Sequence, residues 1–155
     1  MRKLSTSARQ TFKIGKAIVS KLGPGRIILL SGSLGAGKTV LAKGIAAGLG
    51  IDEREVLSPA FVFLRVYKGK RSMNHFDFYR VKNPAEIMAM GYEEYFYSDA
   101  VTIIEWPERL KFLLPKEFLK IKLVVKGDSS RLLEFSARGR EYERLLKDMY
   151  EDIRY

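Results

Sequence analysis

Three features of this 155-residue sequence predict an α/β fold, a mixed central sheet flanked by helices. Short apolar runs rich in β-branched residues, at 26–30 and 100–104, have the character of buried parallel strands. Segments with apolar residues at helical spacing, at 7–22, 38–49 and 141–153, alternate with such runs. Between 61 and 78, two strand-like stretches flank the turn Lys68-Gly69-Lys70-Arg71, which adds a hairpin and therefore an antiparallel pair. No repeat, low-complexity tract or linker divides the chain, so one domain over 1–155 is expected.

Taken in order, the first helix opens at Ser7-Ala8-Arg9-Gln10, which has the S-x-x-Q form of a capping box. Ala8, Phe12, Ile18, Val19 and Leu22 give it one apolar face, and Gly23-Pro24-Gly25 ends it. Two roles are open to it, helping to hold a nucleotide base or covering the sheet edge, and the covering role is the default expectation. The strand at 26–30 then leads into Gly32-Ser33-Leu34-Gly35-Ala36-Gly37-Lys38-Thr39. This matches G-x-x-x-x-G-K-[ST], the P-loop pattern, at every fixed position and has the strand before and helix after that the pattern requires. The domain is accordingly expected to be P-loop NTPase-like. Glycines let successive backbone N–H groups curl round an anion, and the helix N-terminus faces it with a partial positive charge. Lys38 adds a full charge for the β- and γ-phosphates, and Thr39 a hydroxyl for Mg²⁺.

After an irregular piece at 56–60, strands are expected at 61–67 and 72–78. The second ends in His75-Phe76-Asp77-Phe78-Tyr79-Arg80, where Asp77 is the candidate for orienting a water molecule and His75 is read as a hydrogen-bonded structural residue. Asn83-Pro84-Ala85-Glu86 combines an N-cap, a proline at the first helical position and a glutamate at the third, so a helix runs from there to about Met90. A short helical turn follows at 92–96. The strand at 100–104 terminates in Glu105-Trp106-Pro107-Glu108. An acid at the C-terminal edge of an apolar strand beside a P-loop is where a magnesium-organising carboxylate belongs, and Glu105 stands there. Trp106, the one tryptophan, is placed near the nucleotide. Strands at 118–125 and 132–137, joined by a turn at 127–130, and a terminal helix at 141–153 complete the chain.

Bulk properties bound the function. No apolar run approaches the roughly 20 residues needed to cross a bilayer, so no membrane role is expected. The absence of cysteine excludes disulfides and thiolate metal sites, which fits a reducing cytoplasm. The net charge of +10 is uneven: the first acidic residue is Asp52, leaving the N-terminal third purely cationic and attractive to polyanions.

Three signatures in fixed order give a resemblance to a known family: the loop from Gly32 to Thr39, then Ser58-Pro59-Ala60-Phe61 with the stretch from His75 to Arg80, then Glu105-Trp106-Pro107-Glu108. Over about 7–115 the chain resembles the TsaE (YjeE) family, P-loop ATPases of tRNA threonylcarbamoyladenosine biosynthesis. The resemblance implies an α/β fold binding ATP and Mg²⁺, with weak intrinsic hydrolysis activated by partners. Those partners would be the TsaD and TsaB proteins, which modify adenosine 37 of tRNAs reading ANN codons, with tRNA reached through that complex. It implies a phosphate cradle of Gly32, Ser33, Leu34, Gly35, Ala36, Gly37, Lys38, Thr39 and Val40, and a metal held by Thr39 and Glu105. Lys38, Asp77 and Glu105 would serve catalysis, Ser7 and Thr11 would lie near adenine, and Trp106 would be the active-site tryptophan. The chain departs from the family pattern at Ser33, Val40 and Ala60, which stand in place of an aspartate and two threonines; Ala60 has no hydroxyl and is given no metal role. From a different class, a P-loop kinase of small molecules or nucleotides would need an acceptor pocket and an arginine-bearing lid, but 83–98 is acidic and aromatic. A nucleic-acid-binding module built on the basic N-terminal third would bind tRNA tightly by itself, with steep salt dependence.

Overall fold

The computed structural model describes residues 1–153. Seven strands form one sheet: β1 (Arg2–Ser5), β2 (Ile27–Ser31), β3 (Leu64–Tyr67), β4 (Met73–Asp77), β5 (Val101–Glu105), β6 (Phe118–Val125) and β7 (Arg131–Arg138). Five helices accompany them: α1 (Ala8–Val19), α2 (Lys38–Gly48), α3 (Pro84–Ala89), α4 (Tyr92–Phe96) and α5 (Arg140–Ile153). The spatial order is β1-β7-β6-β2-β5-β4-β3. The centre is parallel (β6, β2, β5, β4), while β3 and the β7-β1 pair run antiparallel at the two sides. This is the mixed α/β arrangement that the sequence predicts.

Both faces of the sheet are covered, and strand alternation decides which side chain goes where. Ile28 and Leu30 of β2 point into a core shared with α1, α2 and α5, including Ile18, Leu41, Ile45 and Met149. Ile27 and Leu29 point into a second core with Phe76, Phe78, Ile87 and Phe96, beneath α3, α4 and the 3₁₀ stretch Pro107–Leu113. Burial on both faces is why the β2 and β5 runs read as continuous rather than alternating apolar sequence.

Three local expectations are corrected, and one strand is added. The strand expected at 61–67 begins at Leu64, because Ala60–Phe63 turn and Phe63 adopts a positive φ of 64°. β1 was not predicted: Arg2–Ser5 lacks strand patterning and exists by pairing with β7, where the Phe135 N–H donates to the Met1 carbonyl at 2.8 Å. The Ser7 capping box is half made. Ser7 Oγ accepts from the Gln10 amide at 3.1 Å, but Gln10 Oε1 accepts from the amide and hydroxyl of Thr6. Finally, α1 touches the edge strand β1 where Thr11 meets Ser5, but packs chiefly on α2 over a face of the sheet rather than along an edge. It lies against α2 so closely that a Cβ on Gly44 would stand 2.1 Å from the Phe12 carbonyl oxygen and one on Gly15 2.5 Å from that of Leu41.

Candidate nucleotide-binding site

Parallel strands β2, β4 and β5 end together at one edge of the sheet, the edge where open α/β sheets place ligands. β2 ends at Ser31, and the glycine-rich loop carries the chain into α2. Gly32, at φ 148°, must lack a Cβ because one would meet the Leu123 carbonyl at 2.7 Å. Gly37, at φ 103°, is the N-cap of α2 and supplies no side chain, so the first-turn amides stay open to an anion.

A cavity of about 290 Å³ lies against this loop. Leu34, Gly35, Ala36, Gly37, Lys38, Thr39 and Val40 line one side of it, and Ser58, Asp77, Glu105 and Trp106 the other. Residues more than 60 positions apart in sequence thus line one cavity. Gly32 and Ser33 do not line the cavity; their carbonyls accept from Lys38 Nζ at 2.8 and 2.9 Å. Ser7 is also outside it, occupied in capping α1, whereas Thr11 lines a neighbouring cavity. A larger cavity, about 540 Å³, opens near the N-terminal ends of β2 and β6, but neither the loop amides nor Lys38 reaches it.

Lys38 is 6% exposed and sits 4.6 Å from the centre of the Trp106 ring. Burial lowers its pKa, against the raising influence of Glu105, Asp77 and Glu108. Trp106 reaches that place through a left-handed backbone (φ 57°) and packs against Tyr79 with the rings tilted by 47° and their centres 4.9 Å apart. Strain in a non-glycine residue is retained where surrounding packing holds it, commonly at functional sites.

The two acids are register partners on neighbouring strands. Asp77 Oδ1 accepts from the Tyr79 amide at 2.9 Å and Oδ2 from Ser58 Oγ at 3.2 Å. Burial, then the adjacent Glu105, raises its pKa. Glu105 is 1% exposed; burial opposes its charge, but His75, Asp77 and Lys38 outweigh that and hold it below the usual carboxylate range. The hydrogen-bonded role expected of His75 is corrected: neither ring nitrogen makes a hydrogen bond among the described residues, and the fully buried imidazole instead sets Nε2 3.4 Å from Glu105 Oε2, behind the acid rather than facing the cavity. The pair therefore divides its roles: Glu105 favours the ionised form and Asp77 holds its proton to higher pH.

Glu105 Oε1 is buried and without a hydrogen-bond partner among the described residues. An unpaired buried carboxylate oxygen on a residue that lines the same cavity as Thr39 suits Mg²⁺, which is ordinarily held by one or two protein oxygens together with phosphates and water. No group of three His, Cys, Asp or Glu side chains able to hold a metal occurs among the described residues, so a bound phosphate would have to complete the set.

Sequence reasoning assigned no role to Ser58, Tyr79 or Arg131. Ser58 lay within a quoted motif, and its contact with Asp77 follows from that motif folding against β4. Arg131 carried no signal: its Nε donates to the Ala36 carbonyl at 2.9 Å across 95 residues of chain. Arg80, the last residue of the stretch that begins at His75, places its guanidinium over the Phe61 ring at 3.9 Å.

Comparison with known proteins places this geometry. The family model described as "Threonylcarbamoyl adenosine biosynthesis protein TsaE" matches residues 5–133. The tRNA threonylcarbamoyladenosine biosynthesis protein TsaE of Treponema pallidum is 40% identical over 131 residues, covering 84% of this chain and 96% of that protein. That of Bacillus subtilis is 36% identical over 146 residues, 94% of this chain and 90% of its own. The crystal structure of Bacillus subtilis YdiB superposes with a TM-score of 0.85 at 33% identity, covering 98% of this chain and 95% of that one. With loop, acids and tryptophan in place on the same fold, the chain belongs to the TsaE family.

Proposed function

We propose that this protein is a Mg²⁺-dependent ATPase that serves tRNA threonylcarbamoyladenosine biosynthesis as an accessory of the TsaD–TsaB pair. The observation that carries the ATPase reading is the convergence of Lys38, Thr39, Asp77, Glu105 and Trp106 on one cavity beneath the open amides of α2. The loop amides and Lys38 bind the phosphates, and Thr39 with Glu105 holds the metal. When bound, Mg²⁺ spreads and neutralises phosphate charge. Asp77, fixed by Ser58 and the Tyr79 amide, keeps lone pairs for orienting the attacking water. His75 keeps Glu105 aligned. No arginine lines this cavity among the described residues, so intrinsic hydrolysis is slow and a partner accelerates it.

Partner action is supported by the apolar side chains around the site. Leu34 in the loop is 71% exposed, and Phe61 is 77% exposed in the turn after Ser58. Exposed apolar groups gathered beside a polar site mark interaction surfaces. The kinase reading lacks its lid: 83–98 contains no arginine and is packed on the sheet through Ile87 and Phe96.

The test is ATP binding and turnover by wild type and Lys38→Ala, alone and with TsaD and TsaB. Loss of the buried ammonium should cost on the order of 2–5 kcal/mol in ATP affinity. Near-normal affinity and turnover in Lys38→Ala would reject the phosphate-loop assignment. Unchanged turnover on adding TsaD and TsaB would reject the accessory role alone.

A further inference from the structure

A second cavity of about 290 Å³ lies beyond the phosphate loop and shares Gly35, Gly37 and Val40 with the first. Ala8 and Thr11 of α1 form one wall, and Asp128 and Ser129 of the β6–β7 turn form the other. Thr11 is 2% exposed and its hydroxyl is hydrogen-bonded to that of Ser5 at 2.7 Å, so the α1 wall is rigidly held. The opposite wall is a turn, and turns hold their place only through what ties them down.

Arg131 is that tie. Its Nη1 donates to the carbonyls of Gly127 at 3.0 Å, Asp128 at 3.3 Å and Ser130 at 3.0 Å, while Nε donates to the Ala36 carbonyl at 2.9 Å. One planar guanidinium therefore spans the turn and the phosphate loop. The Ala36 contact also fixes a peptide plane. In a trans peptide the carbonyl of one residue and the N–H of the next point in opposite directions. Holding the Ala36 oxygen toward Arg131 aims the Gly37 amide away from it, and Gly37 lines both cavities.

We propose that Arg131 is a positioning residue for nucleotide binding. It locks the β6–β7 turn, one wall of the second cavity, to the phosphate loop, so that a nucleoside lodged in that cavity and a polyphosphate in the first are bound as one unit. This rests on the nucleotide-binding reading above. Lysine cannot take the role, because a single ammonium cannot reproduce the fixed fork that reaches loop and turn together.

The experiment titrates Trp106 fluorescence with ATP and with tripolyphosphate in wild type, Arg131→Met and Arg131→Lys, with melting curves of each nucleotide-free protein. Wild type should bind ATP more tightly than tripolyphosphate. Arg131→Met should lose about tenfold or more in ATP affinity, the scale of a lost hydrogen bond from a charged group. Its preference for ATP over tripolyphosphate should collapse, and Arg131→Lys should not restore it. A structural role alone would shift the melting curve and leave that preference intact. Preference retained in either variant that folds overturns the proposal, and so does a wild type that binds both ligands equally. A wild type that binds neither ligand overturns the nucleotide reading itself. A measurement on wild type alone adds an independent arm: tripolyphosphate, which does not reach the turn, should slow amide hydrogen exchange over 127–131. Unchanged exchange there overturns the coupling.

Discussion

Asp77 and Glu105 illustrate how one carboxylate pair acquires two characters from its surroundings. Glu105 has His75 behind it and Lys38 before it, whereas Asp77 has burial and a neighbouring acid. The raised pKa of Asp77 means the folded protein binds its proton more tightly than the unfolded chain does. Stability from this residue is therefore present below its ordinary value of 3.8 and is lost as pH rises through the higher folded value. Asp77→Asn removes that loss while still accepting from the Tyr79 amide. The variant should melt at or above the wild-type temperature at pH 7, with the advantage vanishing below about pH 3.8, and should hydrolyse ATP at least about tenfold more slowly. Melting curves across pH, paired with turnover at neutral pH, check both halves. A variant that melts well below wild type at pH 7 would show that Asp77 is structural.

Among the elements, the α1–α2 contact decides how the site is assembled. Gly15, Gly44 and Gly48 allow the helices to touch backbone to backbone, with a Cβ on Gly48 coming within 2.8 Å of Val19. That approach brings Ala8 and Thr11 beside Val40 and so forms the second cavity. Gly44→Ala must push α1 outward, since its new methyl would meet fixed backbone rather than a movable side chain. Overpacking of this kind costs about 1–3 kcal/mol, and each kcal/mol lowers the melting temperature by about 2–4 °C for a chain of this size. Circular dichroism melting should record that drop, and ATP affinity should fall with it because the α1 wall has moved. A stable variant with lowered affinity would still support the packing account; unchanged stability and affinity would reject it.

For the molecule as a whole, the C-terminal helix matters more than its distance from the chemistry implies. The family match ends at residue 133, yet α5 buries Tyr142, Leu145, Met149 and Ile153 against the core shared with α1 and α2. Tyr142 also accepts from the Ile27 amide at 2.7 Å, at the start of the strand that carries the phosphate loop. Burial of a large apolar side chain contributes about 1.5–3 kcal/mol, so four of them rival the roughly 5–15 kcal/mol of net stability a domain possesses. Removal of residues 140–155 should therefore leave a chain without a cooperative melting transition. A truncated protein that melts within a few degrees of the full chain would show α5 to be an appendage.

Much of this was legible from residues alone. The phosphate loop, the acids at strand ends and the tryptophan after β5 are local patterns, because strand–loop–helix geometry and the position of a strand terminus are written in nearby sequence. The sequence by itself determined the α/β class, the loop and its flanking elements, and the family resemblance. Only the tertiary structure decided that Arg2–Ser5 is a strand, that α1 rests on α2, that His75 stands behind Glu105, and that Arg131 grips Ala36. Those features arise from contacts between distant segments, and such contacts are chosen by packing of the whole chain, which no short window of residues encodes.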